Sequence, residues 1–250
     1  MLLAVDIGNT NIKFGVYNGD LLLAKLSIPT IRDITPEALA KVVGAKLPAG
    51  VKSALVSSVV PEVNAAIWNF IQVHYGVVAV FVENTFNLGL KINYQPIEDV
   101  GADRLINAFS AVEKYGAPCI VCSFGTALTI DVVDANRTLI GGLIAPGMDT
   151  LSAALKTTTS KLPEVAIEKP ATVIQNTTVG SIQSGIVYGY FGLVTELLTR
   201  VKAEVGGEPK IIATGGFAKL IAENTEQIDV INYNLLLDGL RLLHQRRQPA

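Results

Sequence analysis

The chain carries one pattern twice, and this repeat restricts its possible folds more than any other feature. Near the start, Ala4-Val5-Asp6-Ile7-Gly8-Asn9-Thr10-Asn11 leads into IKFGVYNGDLLLAKLSI. Much later, Val121-Cys122-Ser123-Phe124-Gly125-Thr126-Ala127 leads into LTIDVVDANRTLIGGLI. Aligning Gly8 with Gly125 sets Ser123 against Asp6. Both copies then run strand, Gly-centred turn, strand, polar turn, strand, with Asn18-Gly19-Asp20 and Asp134-Ala135-Asn136 as the polar turns. Each copy reads as a three-stranded meander opened by a tight hairpin. Two such meanders far apart in one chain indicate a duplicated domain.

The segments between the meanders agree. Thr35-Pro36-Glu37 combines a cap, a Pro at the first helical position and an acid in the first turn, so it predicts a helix start; Leu39, Val42 and Val43 supply its apolar face. SALVSSVV reads as a strand, Pro61-Glu62 opens a helix with Ile67, Trp68 and Ile71, and VVAVFVEN reads as another strand. A third helix is expected over 102–115. The first half is therefore βββαβαβα. The second half follows the same plan: the meander, a helix near 151–156, a long helix over 179–205, the strand KIIATGG, a helix near 217–223, a strand near Val230 and a last helix over 235–244. No charged or Ser/Gly-rich linker separates the halves, and the division is placed at 1–116 and 117–250. The longest irregular stretch is 157–178, and long loops in compact domains are often functional.

Composition excludes several classes. At 250 residues, folding buries roughly 70–75% of the unfolded surface, so the core needs no covalent staples. Half the residues are apolar, 17% are charged and the net charge is −2, which gives no electrostatic reason to expect nucleic acid. The N-terminus has no basic region before its apolar run, which ends at Asp6, so it does not read as a signal peptide. No apolar run reaches the roughly 18 residues of a membrane span. The expectation is a cytoplasmic protein without membrane or nucleic-acid partners. Cys119 and Cys122 form a CxxC, open to a redox or half-zinc reading. They sit in a run that reads as a buried strand, where positions three apart face opposite sides, so plain buried thiols are expected.

There is no GxxxxGK[ST] and no GxGxxG, which removes the main support for P-loop and Rossmann readings. Instead Asp6 stands at a strand end beside a Gly turn. Gly8 permits close backbone approach to a phosphate, and the turn N–H groups with the side chains of Asn9, Thr10, Asn11 and Lys13 offer donors. Asp6 can hold Mg²⁺ through water, because Mg²⁺ keeps several waters and takes one or two carboxylates. Gly125-Thr126-Ala127 repeats the turn. A pair of plain β-turns is the simpler alternative; the duplication favours a polyphosphate site.

The paired turns resemble those of the actin, hexokinase and Hsp70 superfamily. Within it, one family is similar along nearly the whole chain: the type III pantothenate kinases. The resemblance is carried by D-I-G-N-T-N at 6–11, S-S-V-V-P at 57–61, Y-x-P-x-x-x-x-G-A-D-R at 94–104, F-G-T-A at 124–127 and G-G-x-I-x-P-G at 141–147. It continues through L-P at 162–163, Q-S-G at 183–185, T-G-G-F at 214–217 and G-L-R-L-L at 239–243. The fold implied is α/β, a duplicated ribonuclease H-like (actin-like ATPase) fold of two βββαβαβα lobes with an interlobe ATP cleft. The reaction implied is phosphorylation of pantothenate by ATP with Mg²⁺, the first step of coenzyme A biosynthesis.

Roles follow from that resemblance. An alcohol is a poor nucleophile at neutral pH, and Asp103 suits the carboxylate that takes its proton; a first-turn helix stabiliser is the commonplace alternative. Arg104 can pair with the pantothenate carboxylate through its planar fork, or form a surface ion pair. Gly101 and Ala102 share its motif. Tyr94 and Thr178 fall at substrate-contact positions, with packing or capping as their alternatives. Gly215 ends a strand before a helix, where backbone N–H groups can support nucleotide; a plain turn explains it equally well. One position departs from the family: Ser123 stands where an Asp associated with a monovalent cation is usual, which places the K⁺ or NH₄⁺ site in question, and Asp131 is a nearby carboxylate if the second strand runs back beside the first. The resemblance also implies a homodimer, and the run IVYGYFGLVTELL, apolar on more than one face, needs cover on both sides. A sugar kinase of the same superfamily and a non-catalytic nucleotide-binding regulator are the rival readings.

Overall fold

The first meander consists of β1 (Leu2–Ile7), β2 (Asn11–Asn18) and β3 (Leu21–Pro29). In the computed structural model, which describes residues 1–247, β1 pairs antiparallel with β2 and parallel with β4 (Ser53–Ser58), and β4 pairs parallel with β5 (Ala79–Phe81). The order is β3-β2-β1-β4-β5. Every residue of β1 is buried, as expected of a central strand covered on both faces.

Helices begin and end where local chemistry dictates. The Thr35 hydroxyl accepts the Ala38 N–H at 3.2 Å and caps α1 (Pro36–Leu39), which continues into a short π-helical turn over 40–44. Pro61 starts α2 (Pro61–Tyr75), and Gly76, at φ 66°, closes it in the left-handed conformation that glycine adopts without strain. Val63, Ile67, Phe70 and Ile71 of α2 pack with Leu3, Val5, Ile7 and Val56 in the core. A two-residue strand, β6 (Lys91–Ile92), precedes the buried helix α3 (Ala102–Tyr115).

The second meander, β7 (Cys119–Phe124), β8 (Ala127–Val133) and β9 (Thr138–Pro146), repeats the first. β7 pairs antiparallel with β8 and parallel with β10 (Lys210–Gly215), which pairs parallel with β11 (Val230–Ile231). Within this unit the order β9-β8-β7-β10-β11 has the connectivity of the first sheet. Ile120, Cys122, Phe124 and Ile130 pack with Ile182, Ile186, Tyr190 and Val194 of α5 (Thr178–Val205) and with Met148 of α4 (Met148–Thr158). A short helix, α6 (Ala218–Ala222), follows β10. Both cysteines are free and buried, and burial raises the Cys119 thiol to about 12. They are inert core residues at neutral pH.

The division differs from the sequence expectation at the C-terminus. One unit is Met1–Lys114 with the segment from Asn234 onward; the other is Tyr115–Tyr233. The last helix, α7 (Leu235–Arg247), assigned from sequence to the second half, instead packs on β1, β4 and β2. It buries Leu235, Leu236, Leu237, Leu240 and Leu243. The Tyr17 hydroxyl donates to Asp238 at 2.9 Å, and Lys114 forms an ion pair with the same carboxylate. Gly239 permits close passage past α3: a Cβ there would meet Ile106 Cγ2 at 2.6 Å.

Candidate active site

In the first unit, strand pairing brings Asp6 and Lys13 together. They are register partners across the β1–β2 hairpin, and Lys13 Nζ lies 3.3 Å from Asp6 Oδ2. Asp6 is only 7% exposed. Burial raises its pKa, the Lys13 charge opposes this, and the neighbouring Asp103 charge raises it further. Asp103 opens α3, and its pKa is also raised by burial. The Arg104 N–H, the Arg104 charge, its own N–H and Lys13 oppose that rise. Asp6, Lys13 and Asp103 thus form one electrostatic cluster although 97 positions separate the two acids. Gly101 makes room for it: a Cβ there would lie 2.4 Å from Asp103 Oδ1.

Arg104, one residue along α3, is 6% exposed. Its guanidinium carbon lies 5.3 Å from the centroid of the Tyr94 ring, and Nη1 is 3.5 Å from the Tyr94 hydroxyl. Ala102 is buried beside them in the same turn. The turn over Gly8, Asn9 and Thr10 is closed by the Gly8 N–H donating to Asn11 O at 3.0 Å. Thr30 backs it, its N–H donating to Thr10 O at 2.9 Å and its hydroxyl to Gly8 O at 2.6 Å.

In the second unit, Gly125 N–H donates to Ala127 O at 3.1 Å, which closes the matching turn. Gly147 N–H and the Thr150 hydroxyl both donate to Thr126 O, at 3.0 and 2.6 Å. Gly215, at φ 95°, lies against this turn so closely that a Cβ would be 2.3 Å from Phe124 O. Ser123 faces Thr214 on one side and Thr129 on the other. Asp131 lies two residues beyond Thr129, so it shares the sheet face of Ser123, two register pairs further from the turn. Its Oδ2 accepts from the Thr129 hydroxyl at 3.4 Å.

Thr178 is the first residue of α5. It follows Thr177, whose hydroxyl caps α5 by accepting Gly180 N–H at 3.1 Å. Thr178 lines a cavity of about 990 Å³ between α4 and α5, with Leu151, Leu155, Ile186 and Tyr190. The sequence reading assigned no role to Thr30, Gly147 or Thr150. The signal for two of them lay in the repeat, because Pro29-Thr30 and Pro146-Gly147 both end a third strand.

No group of three or more His, Cys, Asp or Glu side chains able to hold a metal occurs among the described residues. Asp6 fits Mg²⁺ nonetheless. Mg²⁺ asks for one or two carboxylates and completes its shell with water and phosphate oxygens, and a dication offsets the burial, and with it the Asp103 charge, that raise the Asp6 pKa.

Two five-strand arrangements of matching connectivity, each with a Gly turn between its first two strands, define the duplicated actin-like ATPase fold. The solved inorganic polyphosphate/ATP-glucomannokinase from Arthrobacter sp. strain KM shares it: TM-score 0.50 at 15% identity, covering 98% of this chain and 99% of that one. The family model for type III pantothenate kinase matches residues 2–200. The type III pantothenate kinase of Brevibacillus brevis is 40% identical over 254 residues, covering 99% of this chain and 100% of its own length. That of Geobacter sulfurreducens is 38% identical over 255 residues, with the same coverage. This chain belongs to the type III pantothenate kinase family.

Proposed function

We propose that this chain transfers the γ-phosphoryl group of ATP to the terminal hydroxyl of pantothenate, giving phosphopantothenate for coenzyme A synthesis. The observation that carries this reading is the Asp6–Lys13–Asp103 cluster, which joins a nucleotide-turn carboxylate to an acid at the head of α3. Asp103 accepts the hydroxyl proton as the oxygen bonds to the γ-phosphorus and ADP leaves. Arg104 pairs with the pantothenate carboxylate, its guanidinium held over the Tyr94 ring. Gly101 and Ala102 keep the start of α3 narrow beside it. N–H groups and side chains at Gly8, Asn9, Thr10 and Asn11, with Lys13, and those at Gly125, Thr126 and Gly215, bind ATP phosphates. Asp6 would hold Mg²⁺ through water, and the ion when bound would supply charge neutralisation at the phosphates. Steady-state assay with pantothenate as acceptor tests the reading.

We place the enzyme in the cytoplasm as a homodimer. Among the described residues no helix is long and apolar enough to cross a membrane. Support for the dimer is the apolar cavity between α4 and α5, with Val179 and Leu193 of α5 exposed at 47% and 36%. A second copy covers this face and brings Thr178 to the pocket of its neighbour. Light scattering at micromolar concentration should give twice the 26.5 kDa chain mass; a single species of chain mass contradicts the dimer.

At Ser123 a hydroxyl can ligate K⁺ or NH₄⁺ but supplies no negative charge, so the enzyme either needs an unusually high monovalent-cation concentration or has lost the dependence. A unit-charge pair at ~4 Å and an effective dielectric of about 20 interacts by roughly 4 kcal/mol, most of which is offset by desolvation. A net ~1–2 kcal/mol corresponds to about five- to thirtyfold in cation affinity. Ser123→Asp should therefore lower the K⁺ or NH₄⁺ concentration giving half-maximal rate by about that factor, at constant ionic strength. Equal midpoints for the two proteins would place the cation on other groups.

A further inference from the structure

Both Gly turns are braced from behind by a threonine hydroxyl, and the two threonines come from non-equivalent positions. β3 and β9 both end in proline, and the next residue donates the same backbone bond in each unit: Thr30 N–H to Thr10 O at 2.9 Å, and Gly147 N–H to Thr126 O at 3.0 Å. In the first unit the side chain of that residue adds a second bond, Thr30 Oγ1 to Gly8 O at 2.6 Å. In the second unit no side chain fits there, since a Cβ on Gly147 would lie 2.2 Å from Gly125 O and 2.6 Å from Thr126 O. A hydroxyl reaches the second turn from Thr150, in the first turn of α4, which donates to Thr126 O at 2.6 Å, one peptide on from the counterpart of Gly8 O and the same carbonyl that accepts Gly147 N–H.

A peptide group is planar, and its C=O and the N–H of the following residue point in opposite directions. Holding Gly8 O towards Thr30 therefore aims the Asn9 N–H the other way. Holding Thr126 O towards Thr150 does the same for the Ala127 N–H. Turn N–H groups aimed in advance bind an anion without the cost of ordering them.

We infer that Thr30 and Thr150 are positioning residues for the nucleotide: their hydroxyls orient the turn peptides so that Asn9 and Ala127 N–H groups are presented to phosphate oxygens. This rests on the reading that the turns bind ATP phosphates. The Thr150 bond is exposed, and exposed bonds of this kind contribute little to folding. Its effect belongs in nucleotide affinity.

The test uses Thr30→Val and Thr150→Val, which keep shape and remove the donor, with Thr30→Ser and Thr150→Ser, which restore it. Calorimetric titration with Mg²⁺ and a non-hydrolysable ATP analogue should show each Val variant binding about three- to tenfold more weakly. KM for ATP should rise in parallel while KM for pantothenate holds, with Tm unchanged in Thr150→Val, and the Ser variants should return to wild-type values. Wild-type analogue affinity in both Val variants, or a fall in Tm with no change in affinity, overturns the positioning role alone. If Thr30→Val fails to fold, Thr150→Val decides the matter. A wild-type protein that binds no analogue overturns the assigned function together with this inference.

Discussion

Asp103→Asn should lower turnover on pantothenate by about 10²–10⁴-fold, the usual loss on removing a general base. The amide keeps the size of the carboxyl and cannot take a proton. ATP affinity should change little, because the nucleotide-side donors lie on the β1–β2 turn and on the turn before β8. The pH profile gives a second readout. Burial raises the Asp103 pKa against the opposing Arg104 N–H, Arg104 and Lys13 contributions. The ionised form is the active one, so the rate falls as pH drops through a pKa above the ordinary aspartate range. In Asp103→Asn that acidic limb should vanish. A variant retaining more than half the wild-type rate would return Asp103 to the role of a helix-start residue.

Gly215→Ala should damage both fold and nucleotide site. A backbone held at φ 95° is strained for any residue with a Cβ, at roughly 1–2 kcal/mol. The new methyl would also lie 2.3 Å from Phe124 O and 2.6 Å from its carbonyl carbon, and overpacking of this kind adds ~1–3 kcal/mol. The sum of about 2–5 kcal/mol corresponds to a fall in Tm of roughly 5–20 °C for a chain of this length. Because Phe124 leads directly into Gly125, the second turn moves with it and ATP binding is lost. Gly216, the other glycine of the motif, has nothing within 4 Å of where a Cβ would sit. Gly216→Ala should therefore stay within ~0.5 kcal/mol of wild type in thermal melts. Equal Tm values for the two variants would refute the argument.

The strands and the duplication are legible in the sequence because they are local. Alternating burial in β3, the unbroken apolar run of β1 and the turn residues at 18–20 and 134–136 each express short-range chemistry. The destination of α7 is not local. The leucines at 235–243 announce a buried face, but nothing in that period says which sheet receives it; the Tyr17–Asp238–Lys114 contacts and the close pass of Gly239 over Ile106 decide it. The active-site cluster falls in between. Asp6 and Asp103 are each legible as strand-end and helix-start acids, whereas their proximity depends on how β1 and α3 pack. The threonine braces were hidden for another reason. Thr30 and Gly147 align in the repeat, but the hydroxyl has moved to Thr150 in the second copy, so the two bonds share no sequence position.

The most direct measurement is ADP release with Mg²⁺·ATP against a panel of acceptors, with mass spectrometry of the product. Pantothenate should support turnover in the range of about 1–100 s⁻¹ usual for kinases, with a product heavier by one phosphoryl group, while hexoses give only background. Turnover with a hexose and none with pantothenate, or none with any acceptor, would contradict the assignment of this chain as a pantothenate kinase.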